Sequence, residues 1–332
     1  DKSPHSVQGH PVEMDTERWL VEGNTRFRWV VGTNWLGAMA ASGALRRQVA
    51  DLTTKRPLLA STDPDTVVAH LIERIDAGGM VLVHQEIYAN ESTRYADLVL
   101  PAATWGEENF TRANAERRIR LYQRFMDAPG DARPDWWIFA QVARRMGFEG
   151  FDWTDSNEIL EESAARTAGS RKDYRALVDK AGKDGVRAQD LLASYGTTGL
   201  QAPLGLEGGS ITETVRLHAN LRFKSDSGHA NFVLPDWDAV KRRNATLAPR
   251  ARKGEVWVLN GRVNALWNNL SDFTRRPLAA KRWPANPLEM NPDDARRWGV
   301  AAGDLVTVAC DSVLDQLGRE TTGEFVAVAY PT

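Results

Sequence analysis

Residues 63–83 read DPDTVVAHLIERIDAGGMVLV, and this stretch decides the fold class. Asp63 suits a helix N-cap and Pro64 the first helical position. Val67, Val68, Leu71, Ile72 and Ile75 recur at helical spacing. Gly78-Gly79 closes the helix, as glycine does at a helix C-terminus. Met80-Val81-Leu82-Val83 is an unbroken apolar run of the kind buried in parallel sheets. The same grammar extends outward. Arg26 to Gly32 (RFRWVVG) reads as a strand closing on the turn Gly32-Thr33-Asn34, and Asp97 to Leu100 as another, stopped by Pro101. Asp135 to Met146 reads as a helix capped by Asp135 and ended at Gly147. Strand and helix in alternation predict an α/β fold, a parallel sheet flanked by helices on both faces.

Past residue 150 the pattern changes. Residues 150–195 are polar and helical, an insertion or surface excursion, and 196–212 are Gly- and Thr-rich and read as loop. The last 80 residues read as mostly β. Glu255 to Leu259 (EVWVL) and Leu305 to Ala309 are predicted strands. Asn291 caps a short helix ended at Trp298-Gly299. The expected division is residues 1–150 as the α/β domain, 151–245 as a helical and loop insertion with a return segment, and 246–332 as a small, mainly β, barrel-like domain. Both ends read as cut: the chain opens on Asp1, and the apolar run from Phe325 reads as a strand running into nothing.

Composition narrows the function classes. The 332 residues hold 42 Lys+Arg against 44 Asp+Glu, a net charge of -2, which argues against a general nucleic-acid binder. No apolar run approaches a membrane span, and no signal-peptide core is present. A single cysteine, Cys310, excludes disulfide scaffolds, cysteine zinc sites and Fe–S clusters held by this chain alone. The histidines show no metal-ligand spacing.

Candidate binding residues sit where strands end. Gly32, Thr33 and Asn34 lie at the carboxyl end of one strand, where ligands of open α/β sheets bind and free backbone N–H groups hold phosphate oxygens. His84-Gln85-Glu86 follow the next strand, and Glu86 suits a ribose hydroxyl or a guanine edge. The densest polar stretch, Trp105 to Arg118, includes Glu107, Asn109, Thr111 and Asn114. Its residue types suit a ligand with phosphates and heterocycle edges; a salt-bridged surface helix over Glu116–Arg120 is the alternative. Asn260-Gly261-Arg262, with Trp267 beyond, combines close backbone approach, a charged fork and an aromatic surface. These patterns alone reach an α/β domain and a β domain with a polar cleft between them. A non-catalytic nucleotide- or sugar-binding module, or a structural segment without a ligand, stays open.

The motifs in order resemble one family. Gly32-Thr33-Asn34 is followed by Tyr95-Ala96-Asp97-Leu98-Val99-Leu100-Pro101-Ala102-Ala103, Trp105-Gly106-Glu107 and Glu116-Arg117-Arg118. Asp127-Ala128-Pro129-Gly130, Ser227-Gly228-His229-Ala230-Asn231-Phe232, Asn260-Gly261-Arg262 and Glu289-Met290-Asn291-Pro292-Asp293-Asp294 complete the series. The chain resembles the back half of a molybdopterin oxidoreductase of the dimethyl sulfoxide reductase superfamily, catalytic large subunit. Glu116 to Leu121 with Arg124 to Gly130 is similar to the branch holding arsenite oxidases and iodate reductases. Arsenite oxidases tend to carry Cys-Asn-Asn at Gly32-Thr33-Asn34 and methionine at Glu108, whereas residues 155–199 look more like the iodate-reductase side.

The resemblance implies molybdenum held between two pterin guanine dinucleotides, with Gly32, Thr33, Asn34, Glu86 and the Glu107–Asn114 loop facing one of them. Asn260, Gly261, Arg262 and Trp267 would lie near a pterin. It implies oxygen-atom transfer on a small inorganic oxyanion, an Fe–S cluster held outside this segment, a Rieske-type Fe–S small subunit and a periplasmic location. It also places the catalytic residues upstream of Asp1, so that this segment alone would be inactive.

Overall fold

A computed structural model describes residues 19–38, 42–55, 61–247, 255–259, 261, 263, 264, 266, 267, 270, 272–314 and 320–332. The chain divides into two compact units: Asp1–Ala103 with Pro129–Arg133 and Val263–Thr332, and Thr104–Ala128 with Pro134–Arg262.

The first unit begins with β1 (Phe27–Val31), α1 (Trp35–Ala38), α2 (Ser42–Thr54), α3 (Pro64–Asp76), β2 (Val81–Glu86) and β3 (Leu98–Pro101). The three strands form one parallel sheet in the order β1-β2-β3. Asp63 caps α3 as its position predicts, accepting the Thr66 N–H at 2.9 Å. Every residue of β2 is buried. That strand runs three residues past the apolar run, so His84, Gln85 and Glu86 lie within it rather than after it. Polar side chains can extend a buried strand when they find partners, and His84 does: its ring contacts the Thr93 hydroxyl at 2.9 Å and the Thr33 carbonyl at 3.2 Å. Leu20, Val30, Trp35, Leu36, Leu45, Val49, Leu52, Met80 and Leu82 form the core between the sheet and α1–α2.

Two features lock α3 to this sheet. Arg74 on α3 and Asp97 before β3 form an ion pair whose side chains are 1% and 6% exposed. The second Asp97 oxygen accepts the Leu82 N–H at 2.9 Å, so one carboxylate joins helix and strand. Gly79 makes the close approach possible: a Cβ there would sit 2.6 Å from Arg74 Cγ and 2.7 Å from the Leu52 carbonyl oxygen. On the outer side, Val68 and Ile72 of α3 and Leu98 and Val99 of β3 remain exposed.

The second unit contains β4 (Phe110–Ala113), β5 (Arg118–Tyr122), α4 (Asp135–Arg145), α5 (Ser156–Arg166), α6 (Arg175–Asp184), α7 (Ala188–Ser194), β6 (Leu200–Gln201), β7 (Leu204–Glu207), β8 (Ser210–Glu213) and α8 (Trp237–Leu247). Asp135 is the first residue of α4 rather than its cap; that place belongs to Pro134, and Asp135 instead puts its charge in the first turn. Residues 150–195 do not make a surface excursion. Leu160, Ala164, Leu177, Ala181, Ala188 and Leu192 from α5, α6 and α7 pack with Ile119, Leu200 and Leu204 into a core of their own. Their apolar positions are spaced by helical turns among many charges, which masks the stripe in a simple polarity reading. Residues 196–212 carry β6 and the β7–β8 hairpin rather than loop alone.

Residues 116–120 likewise form no helix. β4 and β5 pair antiparallel with Phe110 opposite Tyr122 and Arg112 opposite Arg120, and the Phe110 and Tyr122 rings stack at 4.8 Å. Cross-strand pairing of this kind outweighs the local charge pattern.

The chain then adds α9 (Pro277–Arg282), β9 (Pro287–Met290), α10 (Pro292–Trp298), β10 (Leu305–Leu314) and β11 (Glu320–Pro331) to the first unit. Asn291 caps α10, accepting the Asp293 N–H at 2.8 Å, and Gly299 ends it at φ +66°. The last strand does not run into nothing: β11 lies between β10, antiparallel, and β9, parallel. Its Ala327 and Ala329 are fully buried. The three strands form an open sheet among the described residues. Glu255–Leu259 is not a strand. Val256, Trp257, Val258 and Leu259 are exposed, and no ladder partner lies beside them among the described residues; apolar composition without a partner makes no sheet.

Candidate functional site

Parallel pairing brings the first set of predicted residues together. Val31 lies opposite Gln85, and Gln85 opposite Leu100, so the carboxyl ends of β1, β2 and β3 share one edge. Gly32 follows β1 at φ +62°, donating its N–H to the Gln85 carbonyl at 2.9 Å. Nothing lies within 4 Å of where a Cβ would stand, so this backbone is open to approach. Asn34 is 5% exposed. Its Oδ1 accepts the Ser92 N–H at 3.3 Å and hydroxyl at 3.1 Å, and the Ser92 hydroxyl oxygen in turn accepts the Leu36 N–H at 2.9 Å. This network ties the start of α1 to the segment after β2. Glu86 is also buried, and its oxygens accept the Ile87 N–H at 2.9 Å and the Asn90 amide at 3.3 Å. The carboxylate thus folds back onto the turn that follows it.

A cavity of about 570 Å³ opens at this edge, lined by Asn34, Asn90, Glu91, Thr93, Arg94 and Phe273 among others. Glu91 is paired with Arg46. Arg94 is exposed and forms no ion pair among the described residues, so its guanidinium is available to the cavity. Residue pattern alone does not single out Arg94; its signal is the polar run Asn90-Glu91-Ser92-Thr93-Arg94 after β2, which no strand pattern claims. His84 stays fully buried beneath this edge, and desolvation holds its pKa below the usual imidazole value, against a smaller opposing effect of the Thr33 carbonyl.

Glu107, Asn109, Thr111 and Asn114 belong to the second unit; Glu107 fixes the turn before β4, and the other three lie on or beside the β4–β5 hairpin. Glu107 accepts the Thr104 N–H at 2.9 Å, Asn109 the Arg124 N–H at 2.7 Å and Asn114 the Arg118 N–H at 2.9 Å. Thr111 sits in β4 opposite Leu121. Between them lies a residue the site reading did not select. Burial, then the charge of Asp135, pushes the Glu108 carboxyl up to about 7, against a hydrogen bond from Trp136 that lowers it. Its signal was the acid pair Glu107-Glu108 facing a helix that starts with Asp135. Gly261, in the second unit, and Trp267, in the first, are exposed. Asn260 and Arg262 lie outside the described residues. Among the described residues no group of three or more His, Cys, Asp or Glu could hold a metal ion, and no helix is long and apolar enough to cross a membrane.

A parallel sheet with an open glycine turn and a polar cavity at its carboxyl edge defines a class of α/β ligand-binding proteins. Residues 28–145 match the molybdopterin oxidoreductase family. Iodate reductase subunit IdrA of Pseudomonas sp. (strain SCT) is 42% identical over 343 residues, covering 96% of this chain and 38% of that protein. The iodate reductase subunit IdrA of Denitromonas iodatirespirans is 40% identical, covering 98% of this chain and 42% of the relative. Arsenite oxidase subunit AioA of Herminiimonas arsenicoxydans is 29% identical, covering 99% and 40%. The chain therefore spans about two fifths of the length of these relatives. Acetylene hydratase from Pelobacter acetylenicus shares the fold, with a TM-score of 0.56 at 12% identity over 95% of this chain and 37% of that one.

The family implies a molybdenum–pterin cofactor. The donor set at the strand edge fits the polar part of such a group. The open Gly32 backbone admits close approach, and the Arg94 fork, which forms no ion pair among the described residues, and Asn90 line the same cavity, which suits phosphate oxygens and heterocycle edges.

Proposed function

We propose that this chain is part of the catalytic subunit of a molybdenum bis-(pterin guanine dinucleotide) oxidoreductase that transfers an oxygen atom to or from a small inorganic oxyanion, with iodate-type chemistry favoured over arsenite-type. The observation that carries the substrate preference is the 42% and 40% identity to two iodate reductase subunits over nearly the whole chain, against 29% for the arsenite oxidase subunit. Gly32, Thr33, Asn34 and Arg94 would hold the dinucleotide end of the cofactor, with Glu86 fixing the turn that presents Asn90 to it. Glu107, Asn109, Thr111 and Asn114 would shape a second contact with the cofactor through the hairpin they brace, and Asn260, Gly261, Arg262 and Trp267 a third. The β9–β11 sheet would be one wall of a barrel-like dinucleotide-binding domain. When bound, the molybdenum supplies the oxygen-atom chemistry; the residues of this chain bind and orient the cofactor and exclude water from it. The wider reading adds an Fe–S cluster outside this segment, a Rieske-type small subunit as electron partner and a periplasmic location.

The test uses the full-length protein with its small subunit. Molybdenum and pterin should co-purify with it, and iodate should oxidise a reduced dye faster than arsenite reduces an oxidised one. Arg94→Ala should lower pterin and molybdenum content while the protein stays folded. Purified protein that holds neither molybdenum nor pterin refutes the reading; faster turnover of arsenite refutes the preference.

A further inference from the structure

A second groove, of about 800 Å³, lies wholly within the second unit, remote in sequence from the strand edge. Arg171, His218, Lys224 and His229 line it, and among the described residues no carboxylate does. Four basic groups without an acid are a local anomaly in a chain of net charge -2. Arg171, in the turn after α5, forms no ion pair among the described residues, whereas the neighbouring Asp173 is already occupied by Arg175 at 2.9 Å and by the Gly169 N–H. Lys224 is pinned by the Gly169 carbonyl at 2.9 Å, which leaves its other N–H groups to face outward. His218 lies 2.6 Å from the Arg222 carbonyl through Nδ1. A carbonyl only accepts, so Nδ1 carries the proton, and the ring is steadied by stacking on Phe223 at 4.4 Å. Ser225 bonds the His229 carbonyl at 2.6 Å and fixes the turn that carries His229. Pro203 and Leu217 supply apolar wall, which strengthens charge-assisted hydrogen bonds.

We propose that this groove binds a multi-oxygen anion, free or as the phosphate of a larger molecule, through the Arg171 fork, the Lys224 ammonium and His229. A guanidinium grips two oxygens at once and an anchored ammonium adds a point charge, the combination that recognises such anions. The site is built from the second unit alone and does not depend on the cofactor reading.

The test is calorimetric titration of the full-length, cofactor-loaded protein with sodium sulfate and, separately, adenosine monophosphate, each against sodium chloride at matched ionic strength. The probes are repeated on R171Q/K224Q and on His229→Gln, a milder change at an exposed turn. We expect saturable binding of at least one probe, weakened about ten-fold or more in the double variant, the loss expected for charge-assisted hydrogen bonds, and weakened less in His229→Gln. Thermal unfolding should stay unchanged. Tighter binding of the nucleotide identifies the natural ligand as a phosphate ester, and tighter sulfate binding a free anion. Equal isotherms for wild type and both variants overturn the proposal, as does saturation by a hexaglutamate peptide without binding of either small anion.

Discussion

Glu108 gives the sharpest quantitative test of the second unit. Its carboxyl titrates near 7 instead of 4.5, first because it is partly buried and then because Asp135 stands close. Folded protein therefore holds a proton on Glu108 that unfolded chain has released, between about pH 4.5 and 7. In that window the native state binds more protons, so its stability falls as pH rises and stays low above 7. A shift from 4.5 to about 7 is worth roughly 3.4 kcal/mol at 1.36 kcal/mol per pH unit. Glu108 remains partly solvated, and screening reduces this to about 1–2 kcal/mol. Glu108→Gln fixes the neutral form and can still accept from Trp136. Urea unfolding of wild type and variant from pH 4 to 8 should show equal stability at pH 4 and a variant about 1–2 kcal/mol more stable at pH 8. Two curves that run parallel across this range would show that Asp135 and burial do not act on Glu108 as described.

Three further outcomes follow from the first unit. Asp97→Ala leaves Arg74 charged and buried and the Leu82 N–H without its acceptor; it should cost about 3–5 kcal/mol in chemical denaturation, and a loss below 1 kcal/mol would mean that water replaces the carboxylate. Gly79→Ala forces a Cβ against Arg74 and the Leu52 carbonyl and should cost about 1–3 kcal/mol by the same measurement; an unchanged midpoint would contradict the close packing. His84 is held neutral by burial, so its unfolded form gains a proton first and stability should fall as pH drops below 6.5, a dependence that His84→Gln should remove.

The order of elements around the parallel sheet was legible because each boundary carried its own chemistry. Asp63-Pro64 opened α3, Gly78-Gly79 closed it, and Met80–Val83 could only be a buried strand. The misreadings share a cause. β2 continued past Val83 because the partners of His84 and Glu86 come from Thr33, Thr93 and Asn90, residues distant in sequence or beyond the strand. The α5–α7 core was hidden because its apolar positions are scattered one per turn among Glu, Arg and Lys. Residues 116–120 looked helical by charge alone, yet Ile119 and Arg120 are set by Ala113 and Arg112 on the opposing strand. Periodicity reports the face a segment offers; the identity of the partner decides what that face becomes.

The candidate site was legible in position but not in assignment of roles. Sequence located the carboxyl ends of β1 and β2, and the structure joins Gly32, Thr33, Asn34 and Glu86 at that edge. There, however, the buried side chains of Asn34 and Glu86 spend hydrogen bonds on Ser92, Ile87 and Asn90. The group left outward is Arg94, one turn further along. A residue type that can bind a ligand can equally bind the loop that presents one, and only the count of satisfied atoms separates the two. The same holds around the hairpin: Glu107, Asn109 and Asn114 each accept a backbone N–H, so truncating any of them perturbs the local backbone before it perturbs a ligand. Loss of cofactor in such variants must therefore be compared with Arg94→Ala, whose side chain supports no ion pair among the described residues. If Arg94→Ala retains full pterin content while Asn34→Ala loses it together with folding, the strand edge is a structural joint and the cofactor contact lies elsewhere.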